Sequence, residues 1–155
     1  MPKRPFGLAV SFIAIIAASP LLILIAIWIK LDSPGPCFYR QSRVGLYGRP
    51  FTILKFRTMV VDSDRGSPIT AKGDERITRV GGWLRRFKLD ELPTLWNVLR
   101  GDMSLVGPRP EIPLYVERYT AEQQRVLSVR PGITDPATIR FDNEAELLTD
   151  GETFE

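Results

Sequence analysis

The sequence predicts an α+β fold attached to a membrane, and three observations predict it. Leu8–Ile29 is a run of 22 residues without a charge. Cys37–Val44 and Pro50–Thr58 are short runs rich in β-branched and aromatic residues on either side of Gly45–Arg49, and several later stretches repeat apolar residues at helical spacing. At 155 residues the chain has room for one domain. It divides into a membrane element over 1–30, a body over 31–141 and an acidic tail over 142–155.

The apolar run, at about 1.5 Å per residue, is long enough to cross a hydrocarbon layer about 30 Å thick. Lys3 and Arg4 resemble the basic start of a signal peptide, but apolar residues continue well past Ala17-Ala18-Ser19, and Pro20 follows the only small-residue cleavage point. A retained membrane element is expected. Pro20 lacks a backbone donor and crowds the carbonyl of Ile16, so a kink or break is expected at Ser19-Pro20, with the Ser19 hydroxyl placed to satisfy a freed carbonyl. Lys3 and Arg4 precede the run, while Lys30, Arg40, Arg43, Arg49, Lys55 and Arg57 follow it against one acid, Asp32. Lys and Arg mark the cytoplasmic side, and here both flanks carry them. Two topologies stay open, a proline-kinked crossing and a helix that re-enters the face it came from; the more basic second flank favours re-entry.

Ser33-Pro34-Gly35-Pro36 cannot continue a helix and forms the exit turn. The strands Cys37–Val44 and Pro50–Thr58 then pair through Gly45–Arg49 as a hairpin. Arg40, Arg43, Lys55 and Arg57 lie on or beside it with no acid between Asp32 and Asp62, so its surface is electropositive. Anionic lipid headgroups, substrate phosphates and plain solvent are all compatible partners. Val60–Ile77, with Gly66, Pro68 and Gly73, reads as a mobile loop of lid-like length. Val80, Trp83, Leu84 and Phe87 recur at helical spacing with Arg85, Arg86 and Lys88 between them. That pattern predicts a short helix with aromatics on one face and bases on the other, suited to the headgroup layer or to ordinary packing.

Asp90-Glu91 sets two carboxylates at the start of a helix that presents Leu92, Leu95, Trp96 and Leu99 on one side and closes at Gly101. The plain account is structural: Asp90 as N-cap, Glu91 at the positive end of the helix dipole, Pro93 in a first turn whose N–H groups lack partners anyway. The chemical account needs a metal ion or guanidinium groups to offset the repulsion between the two acids. Gly107-Pro108-Arg109-Pro110 supplies a candidate, because the flanking prolines aim the Arg109 fork with little entropy left to lose. Thr120-Ala121-Glu122-Gln123 is a capping box that opens a helix ending before Pro131-Gly132.

Net charge is +3, but six of the 18 acids and none of the 21 bases follow Arg140, so residues 1–140 carry a net charge of +9 and suit anionic partners. The absence of histidine removes the commonest general base and zinc ligand, leaving carboxylates, Lys, Arg and a hard cation as the means of catalysis. Cys37, the single cysteine, reads as a small packing residue. No internal repeat and no Walker or Rossmann glycine loop is present. A nucleic-acid binder is disfavoured, since charge is the only feature in its favour.

Taken in order, Ser19-Pro20, Asp32-Ser33-Pro34-Gly35-Pro36, Arg40-Gln41-Ser42-Arg43-Val44-Gly45, Lys55-Phe56-Arg57-Thr58-Met59, Arg76-Ile77-Thr78-Arg79-Val80-Gly81, Leu89-Asp90-Glu91-Leu92-Pro93, Gly101–Pro110 and Arg130-Pro131-Gly132-Ile133-Thr134 resemble the bacterial sugar transferase family of monotopic phosphoglycosyltransferases. The resemblance covers nearly the whole chain. It implies a re-entrant, Pro-kinked helix over 1–30 and a cytoplasmic catalytic domain over 31–141, at the cytoplasmic face of a bacterial plasma membrane. It implies transfer of a phosphosugar from a UDP-sugar to polyprenyl (undecaprenyl) phosphate, with Asp90 as nucleophile, Glu91 as its partner, and Mg²⁺ held at Asp90 and Glu91. Lys55 and Arg109 match family residues needed for activity, and Arg57, Arg76 and Arg79 within the matched motifs are expected to bind substrate phosphate. Membrane lipids are implied partners, with a homo-oligomer or downstream glycosyltransferases as further ones. Gly7 departs from the family, which commonly carries an aspartate there, and the chain stops at Glu155, short of the C-terminal segment usual in relatives. The rival expectation is a non-catalytic membrane-anchored adaptor, or degenerate truncated paralogue, that binds anionic lipids or partner enzymes.

Overall fold

A computed structural model describes residues 3–61 and 74–135. The chain is α+β: a long apolar helix, one antiparallel hairpin, three short helices and a second, two-stranded parallel sheet. The expected loop centre at 62–73 and the acidic tail over 142–155 lie outside the described residues.

Helix α1 runs from Lys3 to Asp32 without interruption, straight through Pro20. The break expected at Ser19-Pro20 therefore takes a smaller form. Proline has no N–H for the carbonyl four residues back, that of Ile16, and the Ser19 hydroxyl donates to this oxygen instead at 2.7 Å. Ser11, Ile25 and Ile29 are buried on one face of α1, while Phe6, Phe12, Ile13, Ile16, Ile23, Leu24, Ile27 and Leu31 are exposed. Ile25 and Ile29 enter a core with Phe56, Val80 and Leu84 near the helix's C-terminal end. At the other end Arg4 lies against Gly101, where an added Cβ would stand 3.3 Å from its Nη2. Both ends of α1 thus rest on the same body, consistent with a monotopic fold, and between Arg4 and Lys30 its exposed side chains are all apolar.

The exit turn is locked from three directions. Arg57, 5% exposed, donates from Nη1 to the Pro34 carbonyl and from Nη2 to the carbonyl and hydroxyl of Ser33. Asp32 accepts from the Val80 N–H, and the Cys37 thiol donates back to the Ala26 carbonyl, so this cysteine packs as expected.

Strands β1 (Phe38–Val44) and β2 (Pro50–Phe56) pair antiparallel with Tyr39 opposite Lys55, Gln41 opposite Ile53 and Arg43 opposite Phe51. Alternation puts Tyr39, Gln41, Arg43 and Lys55 on one face of the ribbon. In so narrow a sheet the far edge of β2 needs partners, and two side chains supply them. The Asn97 amide accepts from Leu54 N–H at 3.0 Å and donates to the Thr52 carbonyl at 2.7 Å, and Thr94 Oγ1 donates to the Leu54 carbonyl at 3.1 Å. Asn97 is 1% exposed, and this buried ladder fixes the segment carrying Asp90 and Glu91 against β2.

Helix α2 (Arg79–Arg86) is capped by Thr78, whose hydroxyl accepts from Gly81 N–H. Its apolar residues divide between two surroundings. Val80 and Leu84 turn into the core, whereas Trp83 and Phe87 are exposed and meet at a tilt with centroids 4.8 Å apart, beside Trp28 of α1, 6.5 Å from Trp83. Spacing alone grouped the four apolar residues, but the body offers α2 a seam only wide enough for the two aliphatics. Trp28, Trp83 and Phe87 form an aromatic group at the end of the apolar helix, the place such rings hold at a bilayer interface. A 3-10 turn over Leu89–Thr94 leads into α3 (Leu95–Arg100), which ends at Gly101 with φ +84°, the left-handed closure expected. Pro93, Thr94, Asn97 and Val98 are buried in this segment, and Trp96 is exposed.

Strand β3 (Ser104–Val106) pairs parallel with β4 (Gly132–Thr134). Between them lie α4 (Pro113–Val116) and a 3-10 turn over Gln123–Ser128. The capping box forms as expected, with Thr120 N–H to Gln123 Oε1 at 2.9 Å and Gln123 N–H to Thr120 Oγ1 at 3.3 Å, although the turn it opens is 3-10 rather than α.

Candidate active site

Asp90 and Glu91 come to their position through a left-handed residue, Lys88, at φ +56°. This disposes of the capping account. Lys88, not Asp90, occupies the cap position, and Asp90 is the second residue of the 3-10 turn, where its carboxylate has no side-chain partner among the described residues. The two acids then differ sharply in surroundings. Glu91 Oε1 accepts from Lys55 Nζ at 2.6 Å and stands 3.7 Å from Arg109 Nη2. Burial pushes Glu91 up, but the Lys55 charge and hydrogen bond, then the charges of Arg109 and Lys88, outweigh it and leave its pKa below the ordinary value. For Asp90 burial dominates and raises the pKa, reinforced by the Glu91 charge and opposed by Lys55 and Arg85. One carboxylate is neutralised by cations and held; its neighbour is desolvated and free. Such a divergence between adjacent acids marks a division of chemical roles.

The Lys55 charge opposes the burial that raises Asp90. Replacement by the neutral Lys55→Met should therefore raise Asp90 further, and the acid limb of any Asp90-dependent rate should move to higher pH. A rate profile with an unmoved acid limb would separate the two residues.

Arg109 is aimed by more than its prolines. Gly107 N–H donates to the Thr134 carbonyl at 3.0 Å and Gly132 N–H to the Pro108 carbonyl at 2.9 Å, while Arg109 N–H donates to Asp135 Oδ2 at 3.2 Å. From the hairpin side, Val44 N–H donates to the Glu111 carbonyl and Arg43 Nη1 to the Pro110 carbonyl, both at 2.9 Å. The loop is thus clamped between two sheets, with the Arg109 side chain 52% exposed and free to take an anion.

The structure brings Asp90, Glu91, Lys55 and Arg109 together and leaves the other expected residues apart. Arg57 is buried with both terminal nitrogens on the turn after α1, so it holds that turn rather than phosphate. Arg76 pairs with Asp74 at 2.6 Å, and its hydrogen bonds hold the Asp74 carboxyl at about 2. Arg79 is exposed at the first residue of α2. Two further cations join the site. Arg85, anchored by Nε to Thr58 Oγ1 at 2.9 Å, faces Asp90, and Arg43 lies in the field of Glu91, Arg109 and Glu111. Period-two alternation could have selected Arg43, which shares its ribbon face with Lys55; helical spacing only grouped Arg85 with its basic neighbours.

Among the described residues no three acid, His or Cys side chains gather as a closed metal cage. Two adjacent hard carboxylates do fit Mg²⁺, which is commonly held by one or two carboxylates plus substrate phosphates and water. Asp90, with its carboxylate uncommitted, and the free oxygen of Glu91 would hold it.

A family model for the bacterial sugar transferases matches residues 1–153. Over 161 residues the chain is 44% identical to an undecaprenyl-phosphate glucose phosphotransferase of Komagataeibacter xylinus, covering 96% of this chain and 29% of that protein. A UDP-glucose:undecaprenyl-phosphate glucose-1-phosphate transferase of Caulobacter vibrioides is 47% identical over 89% of this chain and 53% of its own length. A UDP-N-acetylgalactosamine-undecaprenyl-phosphate N-acetylgalactosaminephosphotransferase of Aeromonas hydrophila is 44% identical over 88% of this chain and 33% of its own. The chain spans little more than half of the Caulobacter relative and about a third or less of the other two.

Proposed function

The chain belongs to the bacterial sugar transferase family, and from that premise we propose that it moves a phosphosugar from a UDP-sugar to undecaprenyl phosphate at the cytoplasmic face of the plasma membrane. The first step of glycoconjugate assembly is the corresponding role. The observation that carries this reading is the unequal acidic pair, Glu91 bound to Lys55 and Arg109 beside a desolvated, uncommitted Asp90. An adaptor has no use for such a pair.

The Asp90 carboxylate attacks the phosphorus that bears the sugar; the bond from that phosphorus to the bridging oxygen breaks, and UMP departs with the bonding electrons. A phosphosugar remains on Asp90 as an acyl phosphate. An oxygen of undecaprenyl phosphate then attacks the same phosphorus, the acyl phosphate bond breaks, and the carboxylate is restored. Splitting the transfer lets a water-soluble donor and an oily acceptor use one nucleophile in turn. Arg109 and Arg85 stand where they offset negative charge on the phosphoryl oxygens. Lys55 holds Glu91 and keeps that acid ionised. Bound Mg²⁺ would supply further neutralisation of the diphosphate charge.

The relatives' names span glucose and N-acetylgalactosamine at 44–47% identity, so the sugar is left to experiment. Purified protein with undecaprenyl phosphate and Mg²⁺ should release UMP from one or more UDP-sugars and form a lipid diphosphate-linked sugar. Absence of UMP release across a panel of UDP-hexoses would defeat the reading. The placement of both helix ends is tested separately: with Cys37 replaced, single cysteines introduced at Lys3 and at Lys30 should react with a membrane-impermeant thiol reagent only from the cytoplasmic side. Labelling from opposite sides would restore a crossing helix.

A further inference from the structure

Three arginines meet where the first turn of α1 comes against the end of α3. Arg4 Nη2 lies 3.3 Å from the place a Cβ on Gly101 would occupy, Arg130 Nε donates to the Gly101 carbonyl at 3.1 Å, and Arg100 Nε stands 3.5 Å from Asp102 Oδ2. The local structure accounts for part of this charge. The carbonyl end of a helix attracts a cation, and Arg130 supplies it. Asp102 answers for a second, although it also accepts from Asn97 Nδ2 at 3.3 Å. Among the described residues no acid pairs with Arg4 or Arg130. Arg4 is exposed and the Arg100 side chain is 63% exposed, so both can be reached from outside. Gly7, one turn along α1, brings no side chain, and nothing lies within 4 Å of where one would stand. Apolar surface begins at the same place: Phe6 is exposed two residues beyond Arg4, Phe12, Ile13 and Ile16 continue it along α1, and Val129 is exposed beside Arg130.

We propose that Arg4, Arg100 and Arg130, gathered around Gly101, bind the phosphate of an anionic phospholipid of the surrounding bilayer. Guanidinium forks match phosphate oxygens two at a time, and cations beside an apolar helix are drawn to anionic headgroups. A soluble phosphate would gain the same ion pairs and nothing from Phe6 or Val129; a phospholipid offers its acyl chains to them as well. The cluster also adjoins the strand pair from which the Arg109 loop hangs. Asp102 and Arg130 lie two residues before β3 and β4, and Ser104 N–H donates to the Pro131 carbonyl at 2.8 Å between them. A lipid held here therefore joins the start of the apolar helix to the stem of that pair. Binding is read without turnover, so the inference stands or falls independently of the reaction proposed above.

The test titrates the full chain, in a neutral detergent, with dioleoylphosphatidylglycerol and reads retained lipid by native mass spectrometry. The wild type should retain this lipid in preference to dioleoylphosphatidylcholine. Arg4→Gln and Arg100→Gln should each weaken retention about fivefold, the scale of one cation near an anionic surface, and the double variant more than tenfold. Gly7→Asp removes no contact and adds an acid one turn from Arg4, so it should weaken retention to a similar degree without lowering the melting temperature. Arg118→Gln, exposed just past α4, loses the same charge away from the cluster and should bind as the wild type does. Thermal melting identifies any arginine variant that fails to fold, and Gly7→Asp then decides. Wild-type retention in Gly7→Asp and in the folded arginine variants would overturn the inference, as would equal retention of the two lipids by the wild type. Glycerol 3-phosphate bound as tightly as the lipid would make the cluster a site for free phosphate, and displacement of the phosphatidylglycerol by a tenth as much undecaprenyl phosphate would make it the acceptor's; either result overturns the assignment to bilayer lipid.

Discussion

Incubated with a UDP-sugar and Mg²⁺ but no lipid acceptor, the wild-type protein should gain the mass of one phosphosugar on Asp90 and release a matching amount of UMP. Asp90→Asn should do neither, and its turnover should fall by about three orders of magnitude or more, the loss typical of removing a nucleophile. A second variant, Asp90→Ala, separates catalysis from architecture, since Asn caps a helix as well as Asp does. A capping aspartate replaced by a non-capping residue would cost stability, by about 1 kcal/mol for Ala. Asp90 behaves in the opposite sense: its folded pKa is raised, so the folded state binds the proton more tightly than the unfolded chain does. Stability from this group is therefore gained as pH falls through the raised value, and at neutral pH the ionised form is a cost. Asp90→Ala should melt no lower than wild type at pH 7, and the two melting temperatures should converge as pH is lowered. An inactive variant that is also markedly less stable at pH 7 would assign Asp90 to structure.

The second large effect is expected far from the carboxylates. β3 and β4 approach so closely that a Cβ on Gly132 would stand 2.1 Å from the Gly107 nitrogen and 2.6 Å from its oxygen. Those atoms are backbone and cannot swing aside. Gly132→Ala should force the two strands apart, break the bond from Gly132 N–H to the Pro108 carbonyl, and destabilise the body by about 3 kcal/mol. Because Arg109 hangs from this joint, turnover should fall about a hundredfold even at temperatures where the protein stays folded. Melting curves read the first effect and initial rates the second. A Gly132→Ala protein with wild-type rates would show that the position of Arg109 does not depend on the strand pair.

Much of this was legible in residue order. The hairpin emerged within a residue or two of its observed limits, because β-branched runs on both sides of a glycine-rich turn leave few other options. The Ser19 hydroxyl satisfies the one carbonyl that Pro20 abandons, as local stereochemistry demands. Asp90, Glu91, Lys55 and Arg109 were all named from the chain, although their meeting is a long-range fact that only the resemblance supplied. The errors share a cause. Arg57 looked like a phosphate ligand because charge on a basic strand is visible in sequence, whereas its burial against Ser33 and Pro34 is a property of packing. Trp83 and Phe87, read as suited either to the headgroup layer or to ordinary packing, stay exposed while Val80 and Leu84 are buried, because periodicity ranks apolar side chains together and does not say which of two apolar environments, core or lipid, each will meet. Asn97 was passed over altogether, since one amide inside a helix signals nothing until the unpaired edge of β2 lies beside it.

Ile25 and Ile29 belong to the same cluster as Phe56, Val80 and Leu84, so the helix that is long and apolar enough to cross a membrane is also part of the body's interior. Synthesis runs from the amino terminus, and this helix leaves the ribosome some fifty residues before Val80 exists to receive it. Until then its apolar face has no partner in the body, and the hydrocarbon of a bilayer is the environment that suits it. Shearing the helix away would uncover the wall against which Phe56, Val80 and Leu84 pack.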